Sequence, residues 1–219
     1  QWSKGDVEIA GATDPMLDFT KAAASAAADY TVAVGNALGQ VESGVVTLTV
    51  NLAARIVSQP IGGSSNLGGS HKFEVVASGT RPINYKWYHG DNLIQAGTQS
   101  TLHLPDLKEQ DAGGYHVVVS NQAGAETSDT VTLSVVVPPT ITQITDHLSV
   151  VEGDTLELTV TAVGTEPSYQ WSKDGEVIPF AITSVLLLPK VKPSDAGNYT
   201  VDVSNSAGTG SVEITVIVN

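Results

Sequence analysis

The last third of the 219-residue sequence contains Gln170-Trp171-Ser172-Lys173 and, 28 residues beyond its tryptophan, the end of Asp195-Ala196-Gly197-Asn198-Tyr199. Asn205 follows that tyrosine by six residues, and Gly208 follows it by nine. The same four landmarks occur twice more at matching spacings: Trp2, Tyr30, Asn36 and Gly39, and then Trp87, Tyr115, Asn121 and Gly124. Because the three sets are offset by 85 and then 84 residues, we interpret the chain as a tandem array of three repeats.

Within the repeats, apolar residues alternate with polar ones over short runs. Leu156, Leu158 and Val160 form one such run. This pattern predicts strands with one buried and one solvated face. Turn-forming residues (Gly, Asn, Asp) punctuate the runs at 89–92, 121–124, 173–176 and 205–208. About seven short strands per repeat favour an antiparallel β-sandwich. The alanine-rich segment 22–28 is predicted to form only a short helical turn or a loop.

Two segments resemble the Asp-Ala-Gly-x-Tyr signature of immunoglobulin-like domains of the I-set type, namely 111–115 and 195–199. The resemblance implies an all-β fold of tandem Greek-key sandwiches, each built on a buried tryptophan and locked by a tyrosine corner. The repeat register predicts domains at 1–51, 52–137 and 138–219. The implied structural core residues are Trp2, Tyr30, Val32, Val75, Trp87, Asp111, Tyr115, Val117, Val160, Trp171, Asp195, Tyr199 and Val201.

The chain has no cysteine, although the family resemblance implies an inter-sheet disulfide. The two cysteines would fall at Val75 and Val117 in the second repeat, and at Val160 and Val201 in the third. Loss of a disulfide costs about 2–5 kcal/mol, and each buried valine returns about 1.5–3 kcal/mol. The exchange is therefore tolerable. Cysteine-free tandem copies resemble those of large bacterial surface and secreted proteins.

The first repeat is predicted to be only the C-terminal half of a domain. Register places residue 1 at the start of the third strand, so segments 56–79 and 140–164 of the later repeats have no counterpart in it. Two explanations are open: the chain is a window on a longer protein, or a neighbouring subunit donates the missing strands and forms a polymer. Its corner, 26–29, departs from the signature and is expected to be looser.

The segments between repeats differ. Asn51-Leu52-Ala53-Ala54-Arg55 is short and compatible with a helix, whereas 135–140 runs strand into strand through Pro138 and Pro139. Because proline fixes φ and favours an extended backbone, the second and third repeats should be held stiffly apart. We expect a rod.

Composition excludes several function classes. Ten Lys plus Arg face 23 Asp plus Glu, for a net charge of −13. This balance argues against nucleic acid as a partner and against an anionic membrane surface. No apolar run approaches the length of a membrane span, so we expect no membrane insertion in this segment.

Candidate sites are weak, and we predict no catalytic residue, no metal site and no cofactor. The five histidines show no pair at metal-ligand spacing, although His71, His103 and His116 could approach one another across strands. No calcium-loop pattern includes the scattered carboxylates. Asp106 and Asp111 could be paired as glycosidase carboxylates, but Asp111 is better explained as a corner residue. The remaining histidines are His89 and His147, and the carboxylates are Asp14, Asp18, Glu152, Asp154, Glu157, Asp174 and Glu176.

A few further motifs stand out. Asn198-Tyr199-Thr200 fits the N-glycosylation triplet. Segments 62–65 and 68–70 are glycine- and serine-rich and are predicted to be a loose loop. Lys72, Lys86 and Lys190 could form isopeptide staples only if buried, and strand alternation turns the first two outward. Tyr88 and Tyr169 are the aromatic residues left over for a sugar-binding surface.

These patterns favour a non-enzymatic structural or adhesive segment of a long extracellular or cell-surface protein: a stalk, matrix or surface-layer component, or a filament subunit. Its partners would be other copies of itself or other surface and matrix proteins, with glycans as a further option. The alternative is an accessory module array of a secreted enzyme such as a polysaccharide hydrolase. A receptor ectodomain is a third option, against which the missing cysteines count.

Overall fold

The computed structural model describes residues 1–145 and 149–219. Strands make up 55% of it and helix 4%, which confirms the all-β prediction. Each repeat has a 3₁₀ turn just before its landmark tyrosine. These turns are Ala24–Ala26, Glu109–Asp111 and Pro193–Asp195. The alanine-rich segment is thus a single short turn.

The first repeat forms one sheet. The strands are β1 (Trp2–Lys4), β2 (Val7–Glu8), β3 (Ala28–Asn36), β4 (Gly39–Glu42) and β5 (Val46–Leu48). They run in the order β2-β1-β3-β4, and β5 pairs with the same edge of β3 as β4 does, nearer the start of β3.

The second repeat has two layers. The strands are β6 (Arg55–Ser58), β7 (Gly63–Asn66), β8 (His71–Glu74), β9 (Val76–Ser78), β10 (Asn84–His89), β11 (Asn92–Gly97), β12 (Thr101–Leu104), β13 (Gly113–Asn121), β14 (Gly124–Thr127) and β15 (Val131–Val136). The larger sheet has the order β11-β10-β13-β15-β7, with β14 also on β13; β8 pairs with β12, and β6 pairs with β9.

The third repeat has the same two layers. Its strands are β16 (Thr140–Ile144), β17 (Ser149–Val150), β18 (Leu156–Val163), β19 (Ser168–Lys173), β20 (Glu176–Val177), β21 (Val185–Leu188), β22 (Gly197–Asn205) and β23 (Gly208–Val218). One sheet has the order β16-β18-β21 and the other β17-β23-β22-β19-β20. In both complete repeats a short early strand pairs in parallel with the last strand, as β7 does with β15 and β17 with β23.

The glycine- and serine-rich segment 62–65 was predicted to be a loose loop. That prediction is wrong for most of the segment, because β7 begins at Gly63. β7 aligns with β15 from Gly63–Leu133 to Asn66–Val136. A Cβ at Gly62 would collide with the carbonyl oxygen of Thr132. Glycine therefore allows the close approach of the two strands, and the segment lacks the apolar alternation that would have identified it as a strand.

Each complete repeat has its own core. Trp87 and Trp171 are 0% exposed. The valines at the family's cysteine positions lie in the same two clusters: Val75 and Val117 in one, and Val160 and Val201 in the other. The buried valines replace the covalent link with apolar packing between the layers.

The first repeat differs from the predicted core. Tyr30 is 5% exposed, but Trp2 and Val32, both predicted core residues, are only half-buried. The physical reason is that within residues 1–51 no second sheet packs against the face that holds them. Apolar side chains around this sheet stay in solvent, among them Val34 at 68% and Val41 at 74% exposed.

Candidate functional site: the joints between repeats

The second joint, residues 137–139, is held by one asparagine side chain. Asn205 ends β22, and its Nδ2 donates to the carbonyl oxygens of Val137 (2.7 Å) and Thr165 (2.8 Å). Its Oδ1 accepts from the backbone N–H groups of Ala207 (2.8 Å) and Gly208 (3.2 Å). One amide therefore satisfies its own hairpin turn and also ties it to the incoming chain.

Val137 is further paired with Thr165 in both directions. Its N–H donates to Thr165 Oγ1 (2.9 Å), and the Thr165 N–H donates to the Val137 carbonyl (3.0 Å). Val136 is the last residue of β15. No residue therefore lies between the last strand of the second repeat and Val137, which is already hydrogen-bonded to the third repeat.

A glycine makes the close approach possible. Gly164 has φ of +134°, and a Cβ on it would lie 2.9 Å from the Pro138 carbonyl oxygen and from Pro139 Cα. Only glycine adopts this φ readily without blocking that contact. The two prolines restrict φ on the other side, so the joint has few backbone alternatives.

The first joint, residues 49–54, uses the equivalent groups. Asn121 Nδ2 donates to the carbonyls of Leu52 (2.7 Å) and Thr80 (2.8 Å). Leu52 N–H donates to Thr80 Oγ1 (2.8 Å), and Thr80 N–H returns a bond to the Leu52 carbonyl (3.0 Å). Gly79, at φ +136°, stands where Gly164 stands in the second joint.

The two joints differ in the number of residues between the last strand of one repeat and the first residue bonded to the next repeat. In the first joint β5 ends at Leu48 and Leu52 is the bonded residue, so residues 49–51 lie between them. In the second joint no residue lies between β15 and Val137. Residues 51–54 are not helical, although their sequence is compatible with a helix. The reason is that Leu52 is engaged by Thr80 and cannot form helical hydrogen bonds at the same time.

The second joint also has a contact between repeats. Asn66 Nδ2, at the end of β7, lies 3.5 Å from the Ser206 carbonyl oxygen in the turn after β22. Beside it is a polar cleft of ≈ 440 Å³ with one carboxylate, Glu166, in its wall. Hydroxyl groups line much of the rest: Ser64, Ser134, Thr165, Ser168, Ser204 and Ser206.

Each repeat has a tyrosine corner. The hydroxyl of Tyr115 donates to the Asp111 carbonyl (2.7 Å), that of Tyr199 to the Asp195 carbonyl (2.8 Å), and that of Tyr30 to the Ala26 carbonyl (2.7 Å). The two aspartates, both half-buried, also accept a backbone N–H on Oδ2 at 2.8 Å, from Lys108 and from Lys192 respectively. The first repeat has Ala26 at this position and no side-chain cap.

The buried phenols have perturbed acidities. Burial, followed by the nearby charges of Asp195 and Asp174, raises the pKa of Tyr199 to about 12. Burial and then Asp111 raise the pKa of Tyr115. The pKa of Asp174 is lowered by the hydrogen bond from Lys173 and then by the one from the Asn198 N–H.

The indole N–H groups of the three tryptophans differ in their hydrogen bonding. Nε1 of Trp171 donates to the Thr183 carbonyl and Nε1 of Trp2 to the Asp14 carbonyl, both at 2.9 Å. Within the described ranges, the buried Nε1 of Trp87 has no partner.

The histidines are not brought together. His71 is on β8 and His103 on β12, but His116 is on β13 in the opposite sheet, so the approach of all three that the sequence left open does not occur. His116 stacks on Tyr88 at 4.8 Å, and His89 stacks on Tyr115 at 4.5 Å. His147 lies outside the described residues, in which no three His, Asp or Glu side chains are grouped as a metal ion would need.

The other candidates lie on the surface. All seven carboxylates considered for calcium are exposed, as are Asp106, Lys72, Lys86 and Lys190. Tyr169 packs against the core of the third repeat, which leaves Tyr88, half-buried, as the spare aromatic residue. Over the two described ranges, no helix has the length and apolarity to span a bilayer.

Sequence comparison finds animal proteins that are similar to these repeats. Mouse basement membrane-specific heparan sulfate proteoglycan core protein is 37% identical over 123 residues, which is 54% of this chain. The muscle M-line assembly protein unc-89 of Caenorhabditis elegans is 30% identical over 212 residues, or 88% of the chain. The chain spans 3% of the length of either relative. Both are animal proteins, which does not support the expected bacterial context.

The fold has close counterparts among solved structures and family models. The titin I-band fragment I67–I69 aligns with a TM-score of 0.73 at 19% identity, over 100% of this chain and 87% of the fragment. Residues 54–135 match the immunoglobulin I-set domain model, and residues 138–205 match the immunoglobulin domain model. The chain is therefore built of tandem immunoglobulin-like domains.

Proposed function

We propose that this chain is a non-enzymatic, stiff spacer segment of a longer extracellular matrix or cell-surface protein. The observation that supports the proposal best is the second joint, where Val137 follows β15 directly and is already bonded to Thr165 and Asn205. Because no residue separates the strand from these hydrogen bonds, the joint restricts the orientation of the third repeat relative to the second. Partners, which we propose to be other surface or matrix proteins, would then meet the exposed sheet edges and loop tips.

The proposed extracellular location rests on similarity to an extracellular matrix protein. The proteoglycan relative is named for the basement membrane. The unc-89 relative is named for the muscle M-line, and a cysteine-free chain suits a reducing compartment equally well. An intracellular scaffold of muscle is therefore the second candidate, and it would use the same stiff joint.

The spacer proposal can be tested by measuring distances across the second joint. The full chain has no cysteine, so spin labels can be placed at two introduced cysteines, Lys86→Cys and Glu176→Cys, both on exposed positions. Pulsed electron spin resonance should give a narrow distance distribution. Asn205→Ala should broaden it, because the carbonyls of Val137 and Thr165 lose their shared donor.

Asn121→Ala is the matched control, because it removes the same amide from the first joint and should leave this distribution unchanged. A broad distribution in the parent protein would contradict the stiff spacer. An unaltered distribution in Asn205→Ala would contradict the role proposed for Asn205 in the joint.

We further propose that strands from outside residues 1–51 cover the open face of the first repeat. They would come from further residues of a longer chain or from a neighbouring subunit. Pairing with a second copy predicts that the molar mass of chain 1–219 rises with concentration, measured by light scattering. The shortened chain 52–219 should stay monomeric. A constant monomer mass for chain 1–219 would rule out completion by a second copy.

A further inference from the structure

The outer face of the third repeat presents one asparagine that the joints and cores do not use. Asn198 is exposed on β22, directly before the buried Tyr199. Its Oδ1 accepts a hydrogen bond from Thr215 Oγ1 at 3.0 Å, across to β23. In the described part of the chain its Nδ2 donates no hydrogen bond. The amide is therefore held by its oxygen, with its nitrogen available to solvent.

Sequence adds a second, independent observation. Asn198-Tyr199-Thr200 is the one Asn-x-Ser/Thr triplet among the nine asparagines of the chain. Thr200 is two residues further along the same strand, so it lies on the same face as Asn198. Its hydroxyl makes no hydrogen bond within the described ranges; the Ser172 hydroxyl donates to the Thr200 carbonyl oxygen and not to this hydroxyl.

The other repeats lack this group at the same position. The counterpart in the first repeat is Asp29, which accepts a hydrogen bond from Thr47 at 2.5 Å but is a carboxylate. The counterpart in the second repeat is Gly114. The third repeat is thus alone in presenting an amide nitrogen there.

We propose that Asn198 is an N-linked glycosylation site. The donor is an oligosaccharide attached through its C1 to a lipid diphosphate, which the secretory pathway supplies. A bond forms between Nδ2 and C1, the bond between C1 and the phosphate oxygen breaks, Nδ2 loses one proton, and the lipid diphosphate leaves. The inference rests on the proposed extracellular location, because this donor is not available to a cytosolic chain.

The glycan would cover one face of the third repeat. It would project from the outer side of the sheet β17-β23-β22-β19-β20 and keep proteins away from it. The equivalent face of the second repeat, with the stacked Tyr88 and His116, would stay open. The two complete repeats, alike in fold, would then differ in which faces can meet a partner.

The test is to fuse the full chain to a secretion signal, express it in animal cells and map its peptides by mass spectrometry. The peptide containing Asn198 should bear a glycan mass, and peptide N-glycosidase should remove the glycan and leave aspartate. Asn198→Gln and Thr200→Ala should lose the glycan mass, whereas Thr200→Ser should keep it.

A folded, secreted chain that is unmodified at Asn198 would overturn the proposal, as would an unchanged glycan mass in Asn198→Gln. Forced secretion separates this failure from that of the proposed location. If the secreted chain is glycosylated but the protein from its native tissue is not, the site stands and the extracellular assignment fails.

Discussion

The first and third repeats contain the same landmarks 169 residues apart, yet they reach different degrees of burial. Trp171 is fully buried, while Trp2 is half-buried. Both indoles nevertheless donate at 2.9 Å to a carbonyl twelve residues further on. The local sheet and its hydrogen bonds therefore form from local sequence, and only the burial depends on the opposite layer.

A strand that would belong to the missing layer shows the same dependence. In the third repeat β21 (Val185–Leu188) pairs with β18, and Leu186 is 7% exposed. The equivalent residues, 16–19, have no such neighbour and form no strand. Met16 is 68% and Phe19 43% exposed. An apolar segment at this position thus becomes a strand only where a partner satisfies its backbone groups.

The largest expected contrast between the two repeats concerns their tryptophans. Trp171→Ala should cost about 3–5 kcal/mol, because a fully buried indole leaves a cavity, and that is much of a domain's stability. Trp2→Ala should cost about 1 kcal/mol. Hydrogen exchange in the full chain, followed by mass spectrometry, measures both, since β22 and β3 give separate peptides. Equal losses would break the comparison, because they would mean that the face holding Trp2 is covered.

Sequence spacing was enough to predict the repeats, the buried tryptophans of the complete repeats and the corner tyrosines. These features depend on residues close in sequence or on alternation along one strand. The hairpin turns at 89–92 and 173–176 lie between β10 and β11 and between β19 and β20, as the Gly and Asp pattern indicates.

The role of the joint asparagines could not be predicted in this way. Asn205 was interpretable as a turn residue, but its bond to Val137 joins positions 68 residues apart. One signal could have shown this role: asparagine recurs six residues after each landmark tyrosine. Several other residues would suit a turn there, so the recurrence indicates a further role for the amide. For a related reason, alternation along a strand could not show that His116 lies in a different sheet from His71 and His103.

A smaller contrast concerns the corner phenols at high pH. The pKa of Tyr199 is about 12 in the folded protein, against an ordinary value of 10.0. A raised folded-state pKa means that the stabilisation is complete below about pH 10 and is lost as pH rises from about 10 towards 12. Urea unfolding of the full chain across this range should show falling stability of the third repeat.

Tyr199→Phe has no proton to lose, so it should flatten the part of this slope that belongs to the third repeat. It should also lower the stability at neutral pH by about 1 kcal/mol, because the hydrogen bond to the Asp195 carbonyl is gone. An unchanged slope in the variant would show that other groups control the alkaline transition.

The smallest effect concerns the corner cap that the first repeat lacks. Asp195 Oδ2 accepts the Lys192 N–H at 2.8 Å, and the equivalent pair in the first repeat is Ala26 and Ala23. Ala26→Asp should supply the missing acceptor and slow hydrogen exchange in β3 by an amount equivalent to about 0.5–1.5 kcal/mol. Asp195→Ala should cost the third repeat a similar amount in β22, and Ala26→Leu, which offers no acceptor, should give no gain. If Ala26→Asp also gave none, the first corner would be limited by its open face and not by its cap.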